Sequence, residues 1–187
     1  MTEKEILNIL TGSGALLEGH FQLRSGLHSD RFFQAALVLQ FPEKAEKLCS
    51  RLASFFKDEK IDTVLSPAVG GLVVGQEIAK FAKSRAIFAE KENDNLVLRR
   101  GFALSKGEKV LIAEDVVTKG GRVNQCVELA RSFGADVRGI AVIADRSGGI
   151  EFDVPFRSLV KLNLATYEPD KCPLCSGGVP LVKPGSK

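Results

Sequence analysis

Residues 110–124 read VLIAEDVVTKGGRVN: an apolar run, two adjacent acids, two more apolar residues, and then Thr118-Lys119-Gly120-Gly121-Arg122. A short run without polar residues predicts a strand over 109–113 buried on both faces. Glu114 and Asp115 then fall where that strand exposes its carboxyl end, the edge at which open α/β sheets bind ligands. Neighbouring carboxylates repel each other, so a fold keeps them together only where water, a cation or hydroxyl donors take up their charge. A ribose diol is such a donor pair. The paired glycines let the chain turn with several backbone N–H groups facing inward, and a helix beginning near Arg122 adds its positive end, so a phosphate monoester fits beside the diol. On residue types alone, a plain strand-to-helix turn with solvated acids stands level with this sugar-phosphate site.

Working outward, the pattern alternates strand and helix. Thr63–Leu65 predicts a strand leading into Pro67-Ala68-Val69-Gly70-Gly71, 72–83 a helix, 86–89 a strand, 123–133 a helix closed by Gly134, and 137–144 a strand. Short apolar strands alternating with helices predict a mostly parallel sheet covered on both faces. Ahead of it, Thr2 and Glu5 make a capping box before Ile6, Leu7 and Leu10, and Gly12 and Gly14 stop that helix. Residues 15–40 hold strand-like pieces broken by Gly19 and Ser25-Gly26, a small β-rich layer. Pro42 opens a helix whose Ala45, Leu48, Cys49, Leu52 and Phe56 form one apolar stripe. The expected fold is therefore α/β, a central mostly parallel sheet flanked by helices with a small N-terminal β-rich layer, in one domain spanning 1–187 with an extended tail over 171–187.

With 187 residues, 44% of them hydrophobic, the chain has material for one ordinary core. Its net charge of +3 arises from 26 basic and 23 acidic side chains dispersed along the sequence, which predicts neither a nucleic-acid footprint nor a membrane patch. The opening MTEKEILNIL carries acids where a secretion signal carries bases, so a cytoplasmic protein is expected. There is no GxxxxGK[ST], and Gly12-Ser13-Gly14 lacks the third glycine of a dinucleotide fingerprint. Cys49 and Cys126 sit on apolar helix faces and read as core. Cys172-Pro173-Leu174-Cys175 is a single CxxC, and spacing assigns it no partners among His20, His28 and the other cysteines. A plain C-terminal turn is the expected reading, with structural zinc or a disulfide as the alternative.

VLIAEDVVTKGG resembles the motif for phosphoribosyl pyrophosphate (PRPP) of the type I phosphoribosyltransferases. Other stretches resemble the orotate-using branch of that family: 19–26 (GHFQLRSG) with Ser29, 66–71 (SPAVGG), 88–92 (FAEKE), Ala144-Asp145-Arg146 and the tail from Cys172 to Ser186. The resemblance covers nearly the whole chain. It implies transfer of the phosphoribosyl group of PRPP, as its Mg2+ complex, to orotate in pyrimidine synthesis. It assigns Glu114 and Asp115 to the ribose hydroxyls, Thr118, Lys119, Gly120, Gly121 and Arg122 to the 5′-phosphate, and Val116 and Val117 to the PRPP site between them. Gly70 and Gly71 belong to the pyrophosphate loop, and Asp115 and Lys91 to catalysis. Arg146, Thr118, Arg24 and Ser25 meet orotate, the 21–29 segment forming a hood over the base on which Phe32 or Phe33 stacks. Magnesium is held mainly by PRPP, so the resemblance implies no metal ligands on the protein.

The resemblance further implies that residues 88–107 form a mobile loop whose basic residues serve the neighbouring subunit of a homodimer. Three positions depart from the family pattern. Glu90 stands where many relatives carry arginine, leaving Lys91 and, nearer the loop's end, Arg99 and Arg100 as candidate cations; Gly70 replaces a lysine, and Lys119 a small residue. Two other readings keep the same cradle: a salvage phosphoribosyltransferase for purines or other bases, and a PRPP-sensing regulator without catalysis. Arg24, Ser25 and Arg146 favour an acidic base over a purine, and a regulator's DNA-binding segment is not found in the sequence.

Overall fold

The computed structural model describes residues 1–23 and 25–184. Its main sheet contains β3 (Thr63–Pro67), β4 (Arg85–Glu92), β5 (Asn95–Leu98), β6 (Lys109–Val117), β7 (Asp136–Asp145) and β8 (Phe156–Lys161). The spatial order is β5-β4-β3-β6-β7-β8, with all pairs parallel except β4 and β5. Alternation along each central strand divides the core between two faces. Val64, Leu111, Ala113, Ala141 and Ile143 pack with the helices α1 (Glu3–Gly12), α3 (Pro42–Ser54) and α4 (Gly71–Ala82). Leu65, Val110, Ile112, Ile140 and Val142 pack on the other face with α5 (Gly121–Ser132). Coverage on both sides is why these strands read as continuous apolar runs.

Strand order also locates the site. From β3 the chain crosses through α4 to β4 on one side, and after the β4–β5 hairpin it returns to β6 on the other side of β3. The order reverses between β3 and β6, and such a reversal leaves a crevice at the carboxyl ends. Here the β3–β6 ladder stops at Leu65 opposite Ile112, whereas β6 continues beside β7 as far as Val117 opposite Asp145. Glu114 and Asp115 therefore lie within a strand running four residues further than 109–113, and one edge of that strand is open.

The N-terminal layer is antiparallel: β1 (Leu16–Gln22) pairs with β2 (His28–Phe33), which also pairs with β9 (Thr166–Tyr167). Phe33 is buried in the core, and Phe32 faces the other side of its strand against Phe21. Between the strands and the main domain lies a single helical turn, α2 (Ala36–Leu39). The predicted capping box of α1 is present, with Glu5 N–H donating to Thr2 Oγ1 and Thr2 N–H to Glu5 Oε2. The C-terminal tail returns to β1: Val182 N–H donates to His20 O at 2.8 Å, and Gln22 N–H to Val182 O at 2.9 Å. It also carries a short helix, α6 (Pro173–Ser176), beside His20 and His28. Linear spacing gave the CxxC no partners and favoured a plain turn; the fold supplies both histidines. Among the described residues, no helix is long and apolar enough to cross a membrane.

Candidate active site

The crevice is built by two strand-to-helix turns facing one another. After β3 the chain runs through Pro67-Ala68-Val69-Gly70 into α4, and the Ala68–Val69 peptide is cis. A Cβ on Gly70 would sit 3.0 Å from Asp115 Oδ2. One on Gly71 would meet Ala113 O at 2.9 Å, Ser66 Cβ at 3.0 Å and Glu114 Oε1 at 3.1 Å. Glycine thus brings the first turn of α4, with its positive end, against both acids. Gly71→Ala forces a backbone carbonyl and the acid pair to move, an overpacking cost of about 1–3 kcal/mol. The expected result is a fall in Tm of about 3–10 °C, read by calorimetry on the free protein.

The second turn follows β6. Gly120 has φ +71°, in the left-handed region that favours glycine, and a side chain there would overlap Ile150 Cδ1. Together, Glu114 and residues 116–123 line a cavity of about 270 Å³ at the start of α5. Thr118, Lys119 and Arg122 are exposed along it. A larger hollow of about 480 Å³ lies between α4, Phe88 and Phe102; its one charged lining residue is Glu77, so it does not suit an anion.

Inside the crevice the acids differ. Asp115 Oδ1 accepts the Val116 N–H at 2.7 Å, and Asp115 is only partly buried. Glu114 is buried and accepts the Asp115 N–H at 3.0 Å. Burial first, and then the Asp115 charge, push the Glu114 carboxyl up from its ordinary 4.5 to about 8. A carboxyl raised by folding binds a proton in the native chain that the unfolded chain has released. Its contribution to stability is thus full below pH 4.5 and is lost as pH rises towards 8. The urea midpoint should fall between pH 5 and 8, and Glu114→Gln should flatten that slope; an unchanged slope in the variant would contradict the assignment.

Arg146 closes the same end. Its backbone N–H donates to Val117 O at 2.8 Å, fixing it beside the last residue of β6. Its Nε is buried with no hydrogen-bond partner among the described residues. Burial pulls the guanidinium below its ordinary value without neutralising it. A buried guanidinium N–H lacking a partner is costly, and a planar anion supplies the missing acceptors. Asp145, also buried, is engaged by Ser147 through its N–H at 2.9 Å and its hydroxyl at 2.6 Å, which shapes the turn after β7. Sequence reading singled out the Ala144-Asp145-Arg146 stretch but gave Asp145 no role, and it missed Ser147 and Ile150, because a turn formed around an acid and a cap over a glycine leave no periodic signal.

The structure therefore brings Gly70, Gly71, Glu114, Asp115, Val116 to Arg122 and Arg146 to one crevice. It does not bring the loop cations there. Residues 85–98 form a hairpin with Asn93 and Asp94 at positive φ (47° and 66°). Lys91 pairs with Asp94 at 2.6 Å, Arg99 with Glu92 at 2.9 Å and Arg100 with Glu90 at 3.0 Å. The hairpin tip touches α5, with Gln125 Nε2 donating to Asp94 O at 3.1 Å. Ser25 is exposed at the β1–β2 turn, and Arg24 lies outside the described residues.

Comparison with known proteins agrees with this geometry. The phosphoribosyl transferase domain model matches residues 39–163. The chain is 47% identical over 188 residues to the orotate phosphoribosyltransferase of Desulforamulus reducens, covering 100% of this chain and 98% of that protein. It is 48% identical over 183 residues to that of Thermotoga maritima, covering 97% and 98%. The crystal structure of orotate phosphoribosyltransferase from Aeropyrum pernix superposes with a TM-score of 0.71 at 23% identity, over 84% of this chain and 93% of that one. Adenine phosphoribosyltransferase from Thermoanaerobacter pseudethanolicus gives 0.64 at 19% identity, over 71% and 88%. These two structural likenesses speak for the fold alone, because enzymes named for different bases share it. The domain match and the full-length identities go further: the chain belongs to the orotate phosphoribosyltransferase family of the phosphoribosyltransferases.

Proposed function

We propose that the protein transfers the phosphoribosyl group of PRPP to a ring nitrogen of orotate, releasing pyrophosphate and forming orotidine 5′-monophosphate, in cytoplasmic pyrimidine synthesis. Full-length relatives bearing that name support the reaction. The observation that carries the choice of base is Arg146, whose backbone is bonded to the cavity-lining Val117 and whose buried Nε lacks a partner among the described residues. A guanidinium there fits the carboxylate that distinguishes orotate from uracil and from purines.

On this reading the 5′-phosphate sits in the Thr118–Arg122 turn, on inward N–H groups and the positive end of α5, with Val116 and Val117 forming its floor. Glu114 and Asp115 take the ribose hydroxyls. As the bond to pyrophosphate breaks, positive charge develops on the ribose, and the Asp115 carboxylate stabilises it. Gly70 and Gly71 allow the departing pyrophosphate to approach the backbone. Mg2+ carried in with PRPP would supply positive charge to the leaving group, and Glu114 and Asp115, the oxygen donors of the crevice, fit an ion that would keep substrate and water ligands. Lys91, with Arg99 and Arg100, grips pyrophosphate in a homodimer once released from the acids of its own hairpin, and Arg24 and Ser25 complete the orotate side with Thr118.

Thermal protection by product nucleotides tests the base assignment without relying on turnover. Orotidine monophosphate should raise Tm several degrees more than UMP at equal concentration, because ligand stabilisation follows concentration over Kd. Equal protection by the two nucleotides would remove Arg146 from the base pocket.

A further inference from the structure

The chain has two histidines and four cysteines, and both histidines meet two of the cysteines at one point. His20 Nε2 lies 2.9 Å from His28 Nδ1, 3.4 Å from Cys172 Sγ and 3.7 Å from Cys175 Sγ. His28 Nδ1 lies 3.3 Å from Cys175 Sγ, and all four atoms fall within 4.8 Å of one another. A tetrahedron with metal–nitrogen bonds of ~2.0 Å and metal–sulfur bonds of ~2.3 Å has edges of about 3.3–3.8 Å. The three nitrogen–sulfur spacings of 3.3–3.7 Å match those edges, the two imidazoles stand about 0.4 Å too close, and the longest spacing, up to 4.8 Å, closes by about 1 Å when an ion is held. Three of the four side chains, His20, His28 and Cys172, are almost wholly buried.

The surroundings favour a cation. His20 Nδ1 lies 2.9 Å from Val179 O; donating its N–H there leaves the Nε2 lone pair aimed into the cluster. Metal-bound histidines are commonly held by such an outer hydrogen bond. Nor does the tail have another buried anchor: between residues 163 and 184, Cys172 alone is buried. A disulfide between Cys172 and Cys175, which are free thiols here, would account for the sulfurs but not for the convergence of both imidazoles. Two thiolates with two imidazoles is a zinc donor set, and four protein ligands leave no open position for a reacting water.

We propose that the protein holds one structural Zn2+ through His20 Nε2, His28 Nδ1, Cys172 Sγ and Cys175 Sγ, fastening the C-terminal tail to the β1–β2 hairpin. Histidine ligands at positions 20 and 28 bracket the turn that carries Ser25, so the ion also fixes both ends of that turn. Its relevance to orotate rests on the proposed function; the metal site does not.

Metal analysis of the reduced full-length protein, produced with zinc supplied, should find about one zinc per chain. The Cys172→Ser/Cys175→Ser double variant should retain less than about a tenth of it. If that variant does not fold, the wild-type protein decides by X-ray absorption at the zinc edge, with two sulfurs at ~2.3 Å and two nitrogens at ~2.0 Å. Chelation should lower Tm by about 5–10 °C, and added Zn2+ alone should restore it. A reduced protein that neither carries nor takes up zinc, a Cys172–Cys175 disulfide in the native chain, or a zinc shell lacking both sulfurs would overturn the site. None of these readouts depends on transfer activity.

Discussion

Asp115→Asn should lower kcat for phosphoribosyl transfer by about 100-fold or more, the scale of losing one preorganised electrostatic group. The Kd of PRPP should change less than about threefold, because ground-state contacts survive the substitution. Asparagine has nearly the same shape, and its Oδ1 keeps the 2.7 Å bond from the Val116 N–H. What disappears is a negative charge in the crevice between β3 and β6, set against the first turn of α4 at Gly70. Under the proposed function that charge matters most when the ribose becomes cationic, so its removal should raise the barrier rather than weaken binding. Steady-state kinetics together with calorimetric titration of PRPP separate the two. Parallel losses in kcat and PRPP affinity would make Asp115 a binding residue, and an unchanged kcat would remove it from the chemistry.

Arg146→Ala should raise the KM for orotate by about 100-fold, the scale of a bidentate charge-assisted pair, and leave PRPP affinity within about threefold. Arg146→Lys should fall between, since an ammonium supplies charge without the planar fork. Neither substitution should cost stability: burial already disfavours the guanidinium, and its Nε has no partner among the described residues to lose. An alanine variant with normal orotate KM, or one that loses PRPP and orotate affinity together, would contradict the proposed base pocket.

Much of this crevice is legible in the sequence because its parts are local. The apolar runs at Thr63–Leu65, 109–113 and 137–144 announce buried parallel strands, and each glycine turn follows its strand directly. Less legible is where strands end. Two acids look like the close of β6, yet pairing with β7 alone carries it on to Val117. The edge strand β8, FRSLVK, has too few apolar residues to stand out, and the two-residue β9 is set by β2 rather than by its own composition. Strand alternation sends Phe32 and Phe33 to opposite faces, and the structure puts Phe33 in the core.

The 88–107 segment shows a different obstacle. Asn93-Asp94 is a readable two-residue turn of the type that closes hairpins, but the resemblance implies a mobile loop. The structure has a hairpin over 85–98 in which Glu90, Glu92 and Asp94 each hold one of the cations assigned to pyrophosphate. Exposed pairs of this kind are worth about 0–1 kcal/mol, so under the proposed function a pyrophosphate of higher charge density would outcompete them. Of the His20–His28–Cys172–Cys175 cluster only the CxxC is legible, as a candidate half of a metal site; 152 positions separate His20 from Cys172, and only the folded chain brings them together.

The central claim, an orotate-specific phosphoribosyl transfer in the crevice between β3 and β6, is tested most directly by following orotate absorbance after mixing the protein with orotate, PRPP and Mg2+. Uracil, hypoxanthine and adenine run in parallel. The account predicts consumption of orotate that requires PRPP and Mg2+, with no detectable transfer to the other three bases. Transfer to a purine in preference to orotate, or PRPP binding with no transfer to any base, would contradict it.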